Sequence, residues 1–227
     1  MIAAGLPASA AIINGTVGFS GTRLFSFSVP AIPDPSAISY IDFQNPVDGG
    51  FGDLVSGGTL GDYTSLIPVS TPGSIKDMAT NTNALGYTVV PVGTPVSVDN
   101  FVTFASIPAV NFRLTLLPVA SDCGGPVTCV GAFQLVQNGA NVAVSINLTG
   151  QVVSGSDVTP FSGNITAQFL GTNVGAIIAG ASAPGGVLAN SWSGAIVSEI
   201  PEPGTVILFG LGLAALAFSV RRSTFRE

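Results

Sequence analysis

The sequence predicts an all-β ectodomain, an antiparallel β-sandwich or jelly-roll-like fold, followed by a single C-terminal transmembrane helix. Between residues 11 and 197, apolar and polar residues alternate with a period of two in segments that Gly, Pro, Asn and Asp separate, as in half-buried strands. An uncharged apolar run ending in arginines then closes the chain. We expect three parts: a signal-peptide remnant at 1–10, the ectodomain at 11–197 and a tail at 198–227.

The first residues, MIAAGLPASAA, are typical of the end of a signal peptide. Ala8-Ser9-Ala10 fits the pattern of small residues that precedes a cleavage site. The charged beginning and most of the apolar centre of such a peptide are missing. We therefore expect the true start codon to lie upstream and cleavage to follow Ala10, with a small-residue N-terminal strand as the alternative.

Four segments of the body show the strand alternation most clearly. They are residues 101–107, 112–117, 142–149 and 165–169. Short strands with frequent turn signals are typical of sandwiches and related antiparallel folds, and the 16 prolines fit strand boundaries. Before residue 203, no window has a helical stripe of convincing length, so the sequence indicates no particular helix there.

Residues 133–144 predict a β-hairpin. Asn138 and Gly139 would supply the two positive-φ positions of a type I′ turn. This two-residue loop predicts three facing pairs: Gln137 with Ala140, Leu135 with Val142, and Phe133 with Val144. Apolar residues then meet on one face, as a half-buried hairpin requires.

Cys123 and Cys129 stand at the two ends of a Gly-Pro loop between predicted strands. The chain has only these 2 cysteines, and in an exported protein the expected state is a disulfide. Closing so short a loop would stabilise the fold by about 2 kcal/mol in the chain-entropy account. A metal or redox role is the alternative, but two thiols without His cannot complete a zinc site, and the spacing is not C-x-x-C.

The composition narrows the class of function. The chain contains no histidine, which removes Ser-His-Asp and Cys-His nucleophiles and His-ligated zinc, so we expect no enzyme activity and no cofactor. A hydrolase built on two carboxylates is an alternative. Residues 1–200 hold three basic groups against ten acidic ones, and without a basic patch we expect no nucleic-acid partner.

Two weaker patterns concern binding. Asp42, Asp48 and Asp53 lie in a Gly-rich segment, and carboxylates on a flexible loop are candidate Ca²⁺ ligands. Their spacing matches no EF-hand, so ordinary Asp-Gly turns are the favoured interpretation. Trp192 and Phe51 are candidates for stacking on a sugar, although strand or core packing is favoured for both.

The apolar run from Thr205 to Val220 contains no charge. With Pro203 and Gly204 it would form a helix of about 27 Å at 1.5 Å per residue, against a bilayer core of roughly 30 Å. We therefore expect a transmembrane helix over about 204–220, with a buried core helix as the alternative. The basic residues that follow would stop transfer and stay in the cytoplasm by the positive-inside rule; they are Arg221, Arg222 and Arg226.

Residues 198–227 resemble the PEP-CTERM sorting signal of Gram-negative bacteria. The resemblance lies in Pro201-Glu202-Pro203, the Gly/Leu/Ala-rich span and Arg221-Arg222, in that order, although Ile200 stands where Val is usual. It implies an exosortase, a membrane transpeptidase-like cysteine enzyme, as a partner that processes the chain near the Pro-Glu-Pro motif. It also implies surface attachment or release, often in bacteria that make extracellular polysaccharide. The two prolines favour an extended segment that an enzyme can reach.

Together these features predict an exported, non-catalytic protein of the cell surface or extracellular matrix. It would be held in the inner membrane by its C-terminal helix during transit, with extracellular polysaccharide as a further expected partner. A surface adhesin or carbohydrate-binding module is one alternative, and an anchored carboxylate hydrolase is another.

Overall fold

The computed structural model describes residues 13–21, 25–28, 40–43, 51–80, 87–182 and 188–198. Its elements in chain order are β1 (Gly15–Gly21), β2 (Phe25–Ser28), β3 (Tyr40–Asp42), β4 (Phe51–Gly61), α1 (Tyr63–Leu66), β5 (Pro72–Lys76), β6 (Met78–Ala79), β7 (Thr88–Val89), β8 (Val98–Phe104), β9 (Val110–Leu116), β10 (Val127–Val130), β11 (Phe133–Asn138), β12 (Asn141–Ser154), β13 (Asp157–Phe169), α2 (Val174–Ser182), β14 (Leu188–Asn190) and β15 (Trp192–Ser198).

Eight antiparallel strands form a closed, barrel-like sheet in the order β9-β12-β13-β15-β1-β4-β5-β8, and β8 pairs back to β9. Closure depends on the 14-residue strand β12. One edge of β12 pairs with β13 along its whole length. The other edge pairs with β11 in the first half of the strand and with β9 in the second half. The predicted all-β antiparallel class is confirmed for the described residues. The predicted sandwich or jelly roll is replaced by a sheet that closes on itself.

The physical reason lies in the length of the strands. Alternation with period two reports which side chains face the core, and it is the same in a sandwich and in a closed sheet. The four predicted strand segments overlap β8, β9, β12 and β13, but β12 and β13 extend well beyond the predicted bounds. Only these long strands give β12 room for two successive partners on one edge.

A second sheet has the order β14-β2-β3-β6-β7, and its last pair is parallel. Two of its strands, β6 and β14, are directly adjacent in the chain to strands of the closed sheet. Asp77 alone separates β5 from β6, and Ser191 alone separates β14 from β15. The two sheets therefore share one end of the fold, near the start of β15.

A single cluster of buried apolar side chains forms the core. Phe112 lies at its centre, with ring centroids 5.8 Å from Phe104, 6.1 Å from Tyr63 and 6.4 Å from Phe161. Every second residue of β12 from Val142 to Val152 is buried, as a strand with one inward face requires. Burial of each such side chain contributes about 1.5–3 kcal/mol, so the core is the main source of stability.

The hairpin of β11 and β12 forms, but its predicted register is wrong by two residues. The observed facing pairs are Asn138 with Asn141, Gln137 with Val142, Leu135 with Val144, and Phe133 with Ile146. The loop is therefore Gly139-Ala140, with Gly139 at φ +60°. Glycine in the first central position is typical of a type II′ turn. A shift of two residues leaves the same side chains on the buried face, so alternation could not exclude it.

The described residues of the body include two helices, which the sequence did not indicate. The one-turn helix α1 follows β4, and the nine-residue helix α2 is rich in Gly and Ala. The Asn173 side chain accepts a hydrogen bond from the Ala176 N–H at 2.9 Å and caps α2. Ile177 and Ala181 are the buried positions of α2, which is too small a stripe to recognise in the sequence.

Candidate functional site

An open groove on the outer face of the closed sheet is a candidate site among the described residues. We call it the Phe51 groove; its lining includes Phe51, Pro72, Ser74, Asn100, Thr103 and Pro108. Its volume is about 580 Å³, within the range of about 300–1,000 Å³ that is usual for small-molecule sites.

Strands β4, β5 and β8 carry the groove side by side. Phe51 faces Lys76 across the first strand pair, and Ser74 faces Thr103 across the second. Ile75 and Val102, which alternate with Ser74 and Thr103, are fully buried. Because side chains of a strand alternate between faces, the two hydroxyl residues point outward, and their oxygens lie 2.8 Å apart.

Phe51 is the exposed aromatic side chain of the groove. Its exposed fraction is 51%. The Lys76 ammonium lies 5.8 Å from the centroid of its ring, a cation–π distance, and donates a hydrogen bond to the Asp99 carbonyl at 2.8 Å. Lys76 thus lies over one face of the Phe51 ring, and about half of the residue's surface remains exposed to a ligand.

The corner at Asp99 and Asn100 contributes Asn100 to the lining of the groove. The register between β8 and β9 shifts between Val98 and Val102, and Asn100 has a φ of +51°, which is uncommon for a residue other than glycine. The Asn100 N–H donates to the Asn111 side-chain oxygen at 2.6 Å. This irregularity, like many bulges near binding sites, redirects a side chain.

Asp99 ties this corner to strand β9. Its carboxylate accepts hydrogen bonds from Arg113 Nε at 2.6 Å and from the Asn111 amide at 2.7 Å. These two donors, Arg113 first, hold the pKa of Asp99 below its ordinary value. The described ranges contain two basic residues, Lys76 and Arg113. Both contact Asp99: Arg113 binds its carboxylate, and Lys76 binds its backbone carbonyl.

The two aromatic residues that the sequence offers for sugar contact differ in burial. Trp192 is buried, with an exposed fraction of 4%, and its ring centroid lies 5.0 Å from that of Phe43 and 6.1 Å from that of Phe19. The favoured core packing is confirmed for Trp192, so it cannot stack on a sugar. Phe51 lies in strand β4 and packs against Lys76 of the neighbouring strand, but it is not part of the core, because half of its surface is exposed.

The candidate Ca²⁺ ligands are distributed over two strands and an undescribed segment. Asp42 ends β3, is buried and accepts a hydrogen bond from the Tyr87 hydroxyl at 2.7 Å. Asp53 lies within β4, and Asp48 falls outside the described residues. In the described part of the chain, no group of three or more His, Cys, Asp or Glu side chains could hold a metal ion.

The predicted cysteine pair is joined in the structure. Cys123 and Cys129 form a disulfide with their Cα atoms 5.7 Å apart, within the usual range for such a bond. The bridge ties the segment before β10 to β10 itself, so the geometry is compatible with the structural role that the spacing predicts.

The last described residue of the body, Ser198, is buried and hydrogen-bonded. Ser198 is fully buried at the end of β15, which lies between β13 and β1. Its hydroxyl donates to the Ile13 carbonyl at 3.0 Å and is also hydrogen-bonded to the Tyr63 hydroxyl at 3.0 Å. The chain therefore leaves the body from a strand in the middle of the sheet.

The predicted residues of the tail lie outside the described residues. They are Pro201, Glu202, Pro203, Arg221, Arg222 and Arg226, together with the expected transmembrane helix over 204–220. The signal-peptide remnant at 1–10 also lies outside. Within the ranges described, no helix has both the length and the apolar character needed to cross a membrane.

Sequence reasoning missed most of the Phe51 groove. Phe51 was singled out, but Ser74, Asn100 and Thr103 were not, because they meet only through the pairing of β4, β5 and β8. The one local signal was Asp-Asn at 99–100, a pair that tolerates positive φ.

Comparison with known proteins assigns the tail. The family model of the PEP-CTERM protein-sorting motif matches residues 199–222, a range that includes the Pro-Glu-Pro triplet, the apolar run and two of the three arginines. Neither the comparison with curated proteins nor that with solved structures gives a match. The motif indicates a secreted surface protein that an exosortase processes.

Proposed function

We propose that this chain, which carries a PEP-CTERM protein-sorting motif at residues 199–222, is a non-catalytic protein of the cell surface or extracellular matrix. In this proposal the exosortase acts near Pro201-Glu202-Pro203 while a helix over about 204–220 holds the chain in the inner membrane. Arg221, Arg222 and Arg226 remain in the cytoplasm. The observation that carries the proposal is the sorting motif directly behind the last strand of the body.

The short distance between body and motif supports this arrangement. Only Glu199 and Ile200 separate the buried Ser198 from Pro201, so the two Cα atoms are at most about 11 Å apart. An enzyme that reaches the motif at the membrane surface must therefore work beside the body. Release of the chain there would free the body with almost no flexible stalk.

The non-catalytic part of the proposal is supported by what the carboxylates contact. Asp42 binds the Tyr87 hydroxyl, Asp77 accepts the Phe43 N–H at 2.8 Å and Asp99 binds Arg113. A glycosidase needs two carboxylates that face each other across a substrate site. These three carboxylates each bind a neighbouring group of the fold instead, and the chain has no His to act as a base.

The sorting function can be tested with a triple variant, Pro201→Ala with Glu202→Ala and Pro203→Ala. We expect the wild-type chain in the surface or medium fraction, and the variant unprocessed in the inner membrane. Glu227→Gln is the matched control, because it removes an acidic residue outside the matched range and should leave location unchanged. Identical fractionation of wild type and triple variant would contradict the proposal.

The carboxylate-hydrolase alternative has a separate test. Incubation of the purified chain with neutral and acidic polysaccharides should release no new reducing ends. Release that disappears in Asp99→Asn or another single Asp→Asn variant would replace the non-catalytic proposal with an anchored hydrolase and leave the sorting function intact.

A further inference from the structure

We propose that the Phe51 groove binds an uncharged saccharide chain. This goes beyond the sorting function, because the tail determines where the body is delivered and the groove would determine what the delivered body holds. The proposal depends on four features of the groove: an exposed aromatic ring, neutral hydrogen-bonding groups, a fixed corner and balanced charge.

The aromatic ring matches one face of a sugar. A pyranose has C–H groups on its faces and hydroxyls around its edge. The π face of a phenyl ring carries partial negative charge, so it attracts the slightly positive C–H groups. Phe51 presents such a ring with an exposed fraction of 51%, and Pro72 and Pro108 extend the apolar lining beside it.

The neutral polar groups of the groove match the edge of a sugar. Ser74 and Thr103 present hydroxyls 2.8 Å apart, and only one of the two hydrogens is used between them, so the pair can still donate and accept. Asn100 lines the same groove, and its amide has two donor hydrogens and an acceptor oxygen. Neutral donors and acceptors beside an aromatic ring suit a ligand that is apolar on one side and hydroxylated on the other.

The corner that carries Asn100 is held before any ligand arrives. The Asn100 N–H donates to Asn111, Asn111 and Arg113 both donate to the Asp99 carboxylate, and Lys76 donates to the Asp99 carbonyl. Holding an uncommon positive φ with four hydrogen bonds orders the binding wall in advance, which lowers the entropy cost of association.

The charge around the groove selects an uncharged ligand over an acidic one. Arg113 forms an ion pair with the Asp99 carboxylate. Lys76 donates to the Asp99 backbone carbonyl, and the Asp53 carboxylate lies opposite Ser74 on the neighbouring strand. With two positive and two negative side chains around it, the groove has no excess of positive charge to attract a uronic acid chain. The body as a whole is acidic, which further disfavours an anionic partner.

Calorimetric titration of the purified full chain, in a detergent without a sugar headgroup, tests the proposal. The probes are maltohexaose, cellohexaose, laminarihexaose, mannohexaose and chitohexaose, with a galacturonic acid hexamer as the acidic comparator. We expect saturable binding of at least one uncharged probe, and a loss of affinity of about two- to tenfold in Phe51→Ala, the size of a lost aromatic contact.

Three further variants test whether the binding depends on the Phe51 ring and the Asn100 amide. Leu60→Ala removes another exposed apolar side chain of β4, 68% exposed, and should leave affinity unchanged. Phe51→Tyr keeps the ring and should retain binding. Asn100→Gly removes the amide but tolerates the positive φ, so it should weaken binding while circular dichroism stays the same.

Several outcomes would overturn the proposal. They are saturable binding of none of the uncharged probes, binding of the acidic hexamer alone, equal losses in Phe51→Ala and Leu60→Ala, or self-association of the chain that Phe51→Ala abolishes, which would assign the groove to a second copy. Because the purified chain is used, these outcomes do not depend on whether the tail is processed.

Discussion

The aromatic cluster around Trp192 and the Phe51 groove place the same class of side chain in opposite roles. Trp192 packs against Phe19 and Phe43 and is 4% exposed, whereas Phe51 lies on the outer face and is 51% exposed. Both were equal candidates for sugar contact in the sequence. The difference teaches that burial decides whether an aromatic residue serves stability or a ligand. The next four predictions compare buried and exposed positions by how much a substitution lowers the free energy of unfolding. They run from the largest expected effect to the smallest.

The largest effect is expected for Trp192→Ala. Removing this buried ring should lower the free energy of unfolding by about 3–5 kcal/mol, because it leaves a cavity among the surrounding aromatic side chains. Phe51→Ala should change it by less than about 0.5 kcal/mol, as for a surface position. Denaturant unfolding followed by circular dichroism measures both. Similar losses in the two variants would remove the contrast between the regions.

A second contrast uses glycines. A Cβ on Gly150 would lie 2.3 Å from the Arg113 carbonyl oxygen and 2.3 Å from the Phe161 ring, at the register shift between β12 and β9. Gly150→Ala should therefore cost roughly 2–3 kcal/mol through overpacking. Gly58→Ala is the control, because nothing lies within 4 Å of its Cβ position. Equal unfolding midpoints for the two variants would show that the strands separate at little cost.

The disulfide stabilises a segment beside the closed sheet rather than its interior. The double variant Cys123→Ser with Cys129→Ser should lose about 2 kcal/mol by the chain-entropy account. Titration of thiols in denatured, unreduced wild-type protein should detect none. Two titratable thiols, or an unchanged free energy of unfolding in the double variant, would refute the structural role of the bond.

The smallest effect concerns pH and the buried end of the body. Burial raises the pKa of Tyr63 to about 12, with the nearby Asp62 charge acting in the same direction and the Ser198 hydrogen bond against it. The unfolded chain ionises near pH 10 and the folded chain only near 12. Stability from this group is therefore fully present below pH 10 and falls as the pH rises towards 12.

Tyr63→Phe isolates this contribution. At neutral pH the variant should lose about 1 kcal/mol with the hydrogen bond to Ser198, and above pH 10 its stability should fall less steeply than that of the wild type. Denaturant unfolding between pH 9 and about 11.5 measures the two slopes. Parallel slopes would mean that Tyr63 ionises in the folded chain as it does in the unfolded one.

The sequence predicted those parts of the fold that depend on residues close together in the chain. Alternation located β8, β9, β12 and β13, the cysteine spacing predicted the bridge, and the tail carried its own motif. Closure of the sheet was not predictable, because it requires β12 to pair with β9 across more than thirty residues. The hairpin register failed because a two-residue shift keeps Leu135 and Val144 on the buried face. The groove was also not predictable, because Ser74 and Asn100 come together only through the pairing of strands that are distant in the sequence.

The central claim, that an exosortase processes the tail, is tested most directly by the intact mass of the surface-associated protein. The wild-type chain should end near Pro201-Glu202-Pro203, and the chain from a strain without exosortase should extend to Glu227. A surface-associated wild-type chain that retains residues 204–227 would contradict the account.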